Sequence, residues 1–430
     1  MAAFEELMGI RNLVAPSESI TLTGTDPVLS SRFSLGNTAA DIQLAIGVAV
    51  NDLWEMSVGR RQTLSTKTEY AAAALKSYQY LSVSFQQANR AFALQKSRQA
   101  ISTPHLTKDG RYFLPHMGLP HLAERVLKIL ECDYELNSVV EAVSRWDARA
   151  LEDAIAQAEG CGAMVRTETE WLAHPQGESL HLKPVIEIEK IADSDPEPPP
   201  QGVKPAPLAS VRVLDLTRIL AGPTCARTLA EHGADVLMVT SKDLPQTEYF
   251  VMDTSHGKRT TYLDLNISEQ RSKLLELVKD ADVFSQGYRP GVMAKLGLTP
   301  EALAELRPGL IYTSMNCYGF SGPWADRAGW EQLAQTVTGM AAEQGDDRPQ
   351  LLPAAVCDYT TGYLAAYGTL LAMGMRAREG GSYHVKASLC QSAMFVQRQR
   401  RVDYLEEGME INPDLIADIT LTTDTPYGVM

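Results

Sequence analysis

The chain has 430 residues, 45% of them apolar, 21% charged and only 7% aromatic, which is the composition of a globular protein and excludes a disordered or fibrous one. Its 39 basic and 53 acidic residues leave a net charge of −14. That balance argues against nucleic acid or an anionic membrane surface as a partner, and any anionic ligand must meet a local basic patch.

The N-terminal MAAFEELMGIRNLV lacks the basic region and long apolar core of a leader, and no apolar run of membrane-spanning length follows, so a cytoplasmic location is expected. Residues 38–57 and 67–98 read as helical, DGRYFLPH (109–116) as a turn opening into a strand, and 119–173 carries helix-period apolar residues. This half reads as α+β. Six prolines in ADSDPEPPPQGVKPAPLA (192–209) mark an extended linker.

Beyond it the pattern turns to α/β. VRVLDL (211–216) predicts a strand, Gly222 and Pro223 open the helical stretch TCARTLAEH, and Gly233 ends it. ADVLMVT (234–240) predicts the next strand. Ser268 is the expected cap of EQRSKLLELVKDA, followed by the strand DVFSQG, a helix after Thr299-Pro300 and the strand LIYTSM. Strands separated by amphipathic helices predict a doubly wound, Rossmann-like parallel sheet with 211–216 near its centre. The six cysteines lie far apart, with no CxxC and no histidine at ligand spacing, so neither disulfides nor a metal are expected.

Sliding the chain by 321 positions lays residues 47–74 on 368–395, with Gly47 on Gly368 and Gly59 on Gly380, and suggests an internal repeat in which Asn37 takes the place of Asp358. Three features of the second half carry candidate chemistry. The loop DLTRILAGP (215–223) leads from a buried strand into a helix N-terminus, where free N–H groups favour an anion. Lys258 and Arg259 in HGKRT and Arg289 in GYRPGV could form the basic patch. Asp358 opens a long helix, either as its N-cap or as an ionised nucleophile or base.

Taken together, VRVLDLTRILAGPTCARTLAEHGADVLMV, HGKRTTYLDLN, the segment from ADVFSQGYRPGV to GWEQLAQTVTGM, and CDYTTGYLAAYGTLLAM resemble, in order and spacing, the family III CoA-transferases (the CaiB/BaiF family), which include formyl-CoA transferase and the α-methylacyl-CoA racemases. The resemblance implies a large Rossmann-like domain plus a smaller α+β domain in an unusual order. Residues 1–103 would be a helical segment similar to the C-terminal part of a first large-domain copy, 104–190 the small domain, 191–209 the linker and 210–430 the CoA-binding large domain, together a fused, incomplete tandem. Known members form interlocked dimers, so a homodimer is implied.

On the matching positions, Asp358 is the catalytic aspartate, and Thr217, Arg218, Ala221, Gly222, Pro223, Lys258, Arg259 and Arg289 fall in the region that holds coenzyme A. The implied activity moves CoA between an acyl-CoA and a small carboxylic acid through an aspartyl anhydride and an aspartyl-CoA thioester. Epimerisation or dehydration with Asp358 as base, and a degenerate CoA-binding or assembly protein, are the alternatives. Thr240 stands where many members carry an acidic residue, His256 where they carry an arginine, and Asn316 where some transferases carry lysine. Trp330 follows Gly329 where the racemases place a histidine, which removes their second base.

Overall fold

The alternation beyond the proline-rich stretch builds a seven-stranded sheet, six of whose strands come from it. The structure, a computed structural model, describes residues 2–82, 101–200, 202, 205–289, 291–402, 409–425 and 427–430. The later part of the helix expected at 67–98 lies outside the described residues.

From the N-terminus come α1 (Ala2–Arg11), β1 (Ile20–Thr23), α2 (Leu35–Val58), β2 (Leu64–Lys67) and α3 (Thr68–Ala74). A small antiparallel sheet of β3 (His105–Leu106), β4 (Tyr112–Pro115) and β5 (Gly162–Met164) carries α4 (Pro120–Leu130), α5 (Leu136–Val143) and α6 (Ala148–Gln157). Then follow β6 (Glu187–Ala192), β7 (Arg212–Asp215), α7 (Ala221–Glu231), β8 (Asp235–Thr240), β9 (Lys258–Tyr262), β10 (Val283–Gln286), β11 (Ile311–Asn316), α8 (Glu331–Thr338), α9 (Val356–Glu379), β12 (Ser382–Ser388) and α10 (Leu389–Gln397).

The large sheet runs β6-β12-β11-β10-β7-β8-β9, parallel throughout except for β6 against β12. β10 is the middle strand and is buried along its whole length, with β7 beside it, so both faces of the sheet are covered there, and the polar side chains these strands carry, Asp215, Ser285 and Gln286, are buried as well. Gly233 adopts φ +98° just past α7, a backbone only glycine takes without strain. The Thr299 hydroxyl accepts the Ala302 N–H at 3.2 Å and caps its helix as expected. Ser268 is instead the first residue of helix Ser268–Val278, with Ile267 in the capping position. Asp358 likewise lies inside the first turn of α9, whose cap is Ala355, which frees its carboxylate from a capping role.

The linker does not divide the molecule into separate cores. Leu7, Ala40 and Ile46 from the first segment share one buried cluster with Tyr367, Leu371 and Val385 from the second, and the Tyr367 hydroxyl donates to the Leu7 carbonyl at 2.7 Å. Helices α2 and α9 each have 24 residues, start 321 positions apart and end at Gly59 and Gly380 with φ +73° and +66°. At the same offset β2 falls on the end of β12, and Thr68, which opens α3, falls on Leu389, which opens α10. β1 pairs in parallel with β2 as β11 does with β12. The repeat seen in the sequence is therefore a repeat of structure.

Candidate active site

The loop from β7 to α7 is held from beneath. Asp215 is fully buried, its Oδ1 accepts the Thr217 backbone N–H at 3.0 Å and also the Thr217 hydroxyl, and its Oδ2 accepts Lys258 Nζ at 2.8 Å. Lys258 donates as well to the Pro223 carbonyl at 2.8 Å, and its side chain is as deeply buried as that of Asp215. A Cβ on Gly222 would stand 2.2 Å from Thr217 Cβ, so only glycine lets the helix start close over the strand end. Ile219 sits at φ +71°, a strained conformation for a β-branched residue, at the tip of the same loop.

Above this loop lies a cavity of about 280 Å³, lined by Thr217, Arg218, Ala221 and Gly222 together with Arg289, Arg327 and Asp358. Arg218 donates to the Pro245 carbonyl, while its Nε is buried without a hydrogen-bond partner among the described residues, and burial lowers its pKa. Among the described residues Arg289 donates to the Glu159 carbonyl at 3.3 Å and approaches the Glu159 carboxylate at 4.0 Å. His121 also lines the cavity, and its pKa is lowered by burial and by Arg125, Arg218 and Arg289. This acidic chain thus carries the local patch of cations that an anionic ligand requires.

Asp358 stands on the far wall, on the first turn of α9. Beneath it, Glu331 is buried at the start of α8 and accepts the backbone N–H of Cys357 at 3.1 Å and of Asp358 at 2.5 Å, and Gln335 Nε2 at 2.5 Å. Burial pushes the Glu331 carboxyl up to about 7, against the pull of those donors. Burial also raises Asp358 well above the ordinary carboxylate range, and the Glu331 charge raises it further. The three donors favour ionised Glu331, whereas the Asp358 carboxylate accepts no hydrogen bond from a described residue, so Asp358 is the later of the two to ionise.

The first repeat copies this arrangement. Asp26 accepts the N–H of Gly36 at 3.1 Å and of Asn37 at 2.7 Å, the two positions that match Cys357 and Asp358. There the Asn37 amide oxygen accepts the Thr68 hydroxyl at 3.0 Å. The supporting carboxylate is present in both copies, the acid on the helix in one.

Asp358, Glu331 and Trp330 also border a second cavity, of about 310 Å³. Its walls include Tyr78, Tyr249, Phe250 and Leu352. Tyr359 and Ser77 both donate to Asp253 Oδ2, at 2.9 and 2.8 Å, and tie the Tyr78 segment to the helix bearing Asp358.

Of the nine residues singled out in the sequence, Thr217, Arg218, Ala221, Gly222, Arg289 and Asp358 come together around the first cavity. Pro223, Lys258 and Arg259 do not. The Lys258 ammonium donates to Asp215 and Pro223 and its side chain is fully buried, so it positions the loop and does not line the cavity. Arg259 is 72% exposed on edge strand β9 and pairs with Asp235. Glu331 and the aromatic wall of the second cavity were missed. The signal for Glu331 was faint, since an acid in a helix's first turn is ordinary and its neighbour Asp358 is brought close only by the fold.

The family model for CoA-transferase family III matches residues 208–423. The chain belongs to that family. It is 33% identical to an acetyl-coenzyme A transferase of Hypoxylon pulicicidum over 68% of this chain and 53% of the relative. It is 31% identical to the succinate–glutarate CoA-transferase of Agrobacterium fabrum over 47% of this chain and 56% of that one. A solved CaiB/BaiF family protein from Brucella suis is 33% identical, covering 45% of this chain and 56% of its own, with a TM-score of 0.41. The chain spans about half the length of the curated relatives it matches. Among the described residues no helix is long and apolar enough to cross a membrane.

Proposed function

We propose that this family III chain transfers coenzyme A between carboxylic acids, with Asp358 as nucleophile. The observation that carries the reading is the position of Asp358 on a wall shared by two cavities, one cationic and one aromatic. The cationic cavity, with its helix N-terminus, Arg218 and Arg289, suits the phosphates of CoA.

A carboxylate oxygen of Asp358 attacks the thioester carbonyl, the C–S bond breaks, and CoA leaves as thiolate, giving a mixed anhydride. The thiolate attacks the aspartyl carbonyl and releases the donor acid. The acceptor carboxylate then attacks the aspartyl thioester and expels the thiolate. Attack of that thiolate on the acceptor carbonyl forms the new acyl-CoA and restores Asp358. Protons and electrons balance throughout, and each step is easier than direct exchange between two carboxylates. The racemase alternative lacks its second base, since Trp330 fills that place. Acyl-CoA followed by hydroxylamine should modify the chain at Asp358; CoA binding without any adduct there would overturn the nucleophile assignment.

Arg289→Ala should weaken CoA by about 1–3 kcal/mol, the loss of a hydrogen bond to a charged group, as read by calorimetric titration. Unchanged affinity would place Arg289 outside the CoA contacts. Glu331→Gln removes the negative neighbour that holds up the Asp358 pKa. Asp358 then ionises at lower pH, so the acidic limb of the kcat/KM profile should move to lower pH. A limb that stays put would separate it from this pair.

A further inference from the structure

The first turn of α9 decides where the Asp358 carboxylate points, and the N–H groups of such a turn have no partners within their own helix. Glu331 takes two of them, those of Cys357 and Asp358. The next residue, Tyr359, is buried, and its hydroxyl donates to Asp253 Oδ2 at 2.9 Å. Glu331 therefore holds the turn at its end, and Tyr359 holds it from the side.

Asp253, in the last turn of the helix Glu248–Thr254, is buried and gathers more than that one bond. The same oxygen accepts the Ser77 hydroxyl at 2.8 Å and pairs with Arg227 Nη1 at 3.0 Å. Arg227 lies on α7, the helix whose N-terminus forms the first cavity's loop, and it donates as well to the Asp253 carbonyl at 3.3 Å. One buried carboxylate thus joins α7, α9 and the Ser77 segment. The two helices touch at Gly362, where a Cβ would stand 2.5 Å from the Ala221 carbonyl and 2.7 Å from Thr224 Cβ. That contact limits how closely they approach, and the directional bonds through Asp253 resist their sliding and turning against each other.

We infer that Asp253 is a positioning residue for the nucleophile: by holding Tyr359 and Arg227 on one oxygen it fixes the direction of the Asp358 carboxylate relative to the CoA loop. This rests on the transferase reading above. The CoA loop itself is anchored separately, by Asp215 and Lys258. Losing the Asp253 bonds should therefore slow attack on a bound thioester and leave CoA affinity alone, since a misplacement of about 1 Å costs up to about 100-fold in rate.

The test uses the full chain and measures the single-turnover rate of hydroxylamine-sensitive modification at Asp358 with saturating acetyl-, hexanoyl- and succinyl-CoA. The fastest of the three serves for the variants, and calorimetric titration reads CoA affinity. Tyr359→Phe keeps the ring and loses the bond; it should lower the rate about tenfold and change the CoA Kd less than about twofold. Asp253→Asn should lower the rate about 10- to 100-fold, and adding Tyr359→Phe to it should lower it no further, because both act through one bond. Tyr363→Phe, one turn along α9, loses its bonds with Arg227 and the Ala74 carbonyl and should leave the rate within about twofold. Tyr359→Phe and Tyr363→Phe decide the matter by themselves where Asp253→Asn does not fold. An unchanged rate in Tyr359→Phe, an equal loss in Tyr363→Phe, or losses that multiply in the double variant would overturn the positioning role while leaving the transferase standing. Failure of every thioester to modify the unaltered chain at Asp358 would overturn the transferase reading and the positioning role with it.

Discussion

Asp358→Asn should lower turnover by at least about a thousandfold while leaving the protein as stable as before, or more stable. The kinetic half follows from the chemistry, since an amide oxygen cannot form an anhydride that passes the acyl group on. The stability half follows from the site. Folded Asp358 has a pKa raised by burial and by Glu331, whereas in the unfolded chain it titrates in the ordinary range. Between those values the unfolded chain has released a proton that the folded chain still holds, so raising the pH through that window favours unfolding. The asparagine has no proton to lose and escapes that penalty. Thermal unfolding at pH 7–8 should therefore show an equal or higher Tm. Lower stability with unchanged activity per folded molecule would make Asp358 a structural residue and remove the nucleophile from the mechanism.

The second large effect is expected at Lys258. Lys258→Met leaves Asp215 with no counter-charge in a fully buried position, and breaking such a pair costs about 3–5 kcal/mol. Arg259→Ala, one residue along, removes an exposed pair with Asp235 and should change stability by less than about 0.5 kcal/mol. Urea unfolding midpoints with unchanged slopes read both values. Since Asp215 also holds Thr217, Lys258→Met should loosen the β7–α7 loop and weaken CoA binding although Lys258 does not line the cavity. Equal effects from the two substitutions would contradict the buried anchor.

The contrast between these neighbours marks the limit of what sequence made legible. Period and punctuation carried the sheet: β7, β8, β10 and β11 lie within two residues of the runs that predicted them, because strands covered on both faces are enriched in apolar residues and the helices between them are bounded by glycine, proline and capping residues. The loop of Thr217 and Gly222 was legible because a strand leading into a helix N-terminus is local. Lys258 and Arg259 were indistinguishable as two basic residues in one turn. Their fates differ because alternate strand residues face opposite sides, one inward to Asp215 and the other to solvent. Glu331 and Asp358 lie 27 residues apart, and their shared site exists only after α8 and α9 meet end to end. The aromatic wall assembles Tyr78, Tyr249 and Trp330 from three distant segments, and no local pattern announces that encounter.

The duplicated helix also bears on how such a protein changes over generations. In an assembly of identical chains, one altered codon alters every copy of a position at once, so a position needed in any copy is held in all. Here Asn37 and Asp358 are encoded separately, and a substitution at one leaves the other untouched. The first repeat has a carboxylate that grips the helix, Asp26, and carries at the position matching Asp358 an amide that bonds Thr68. Placing both copies in one polypeptide lets each be inherited with its own history, so one can settle into a scaffold while the other stays under the demands of its chemistry.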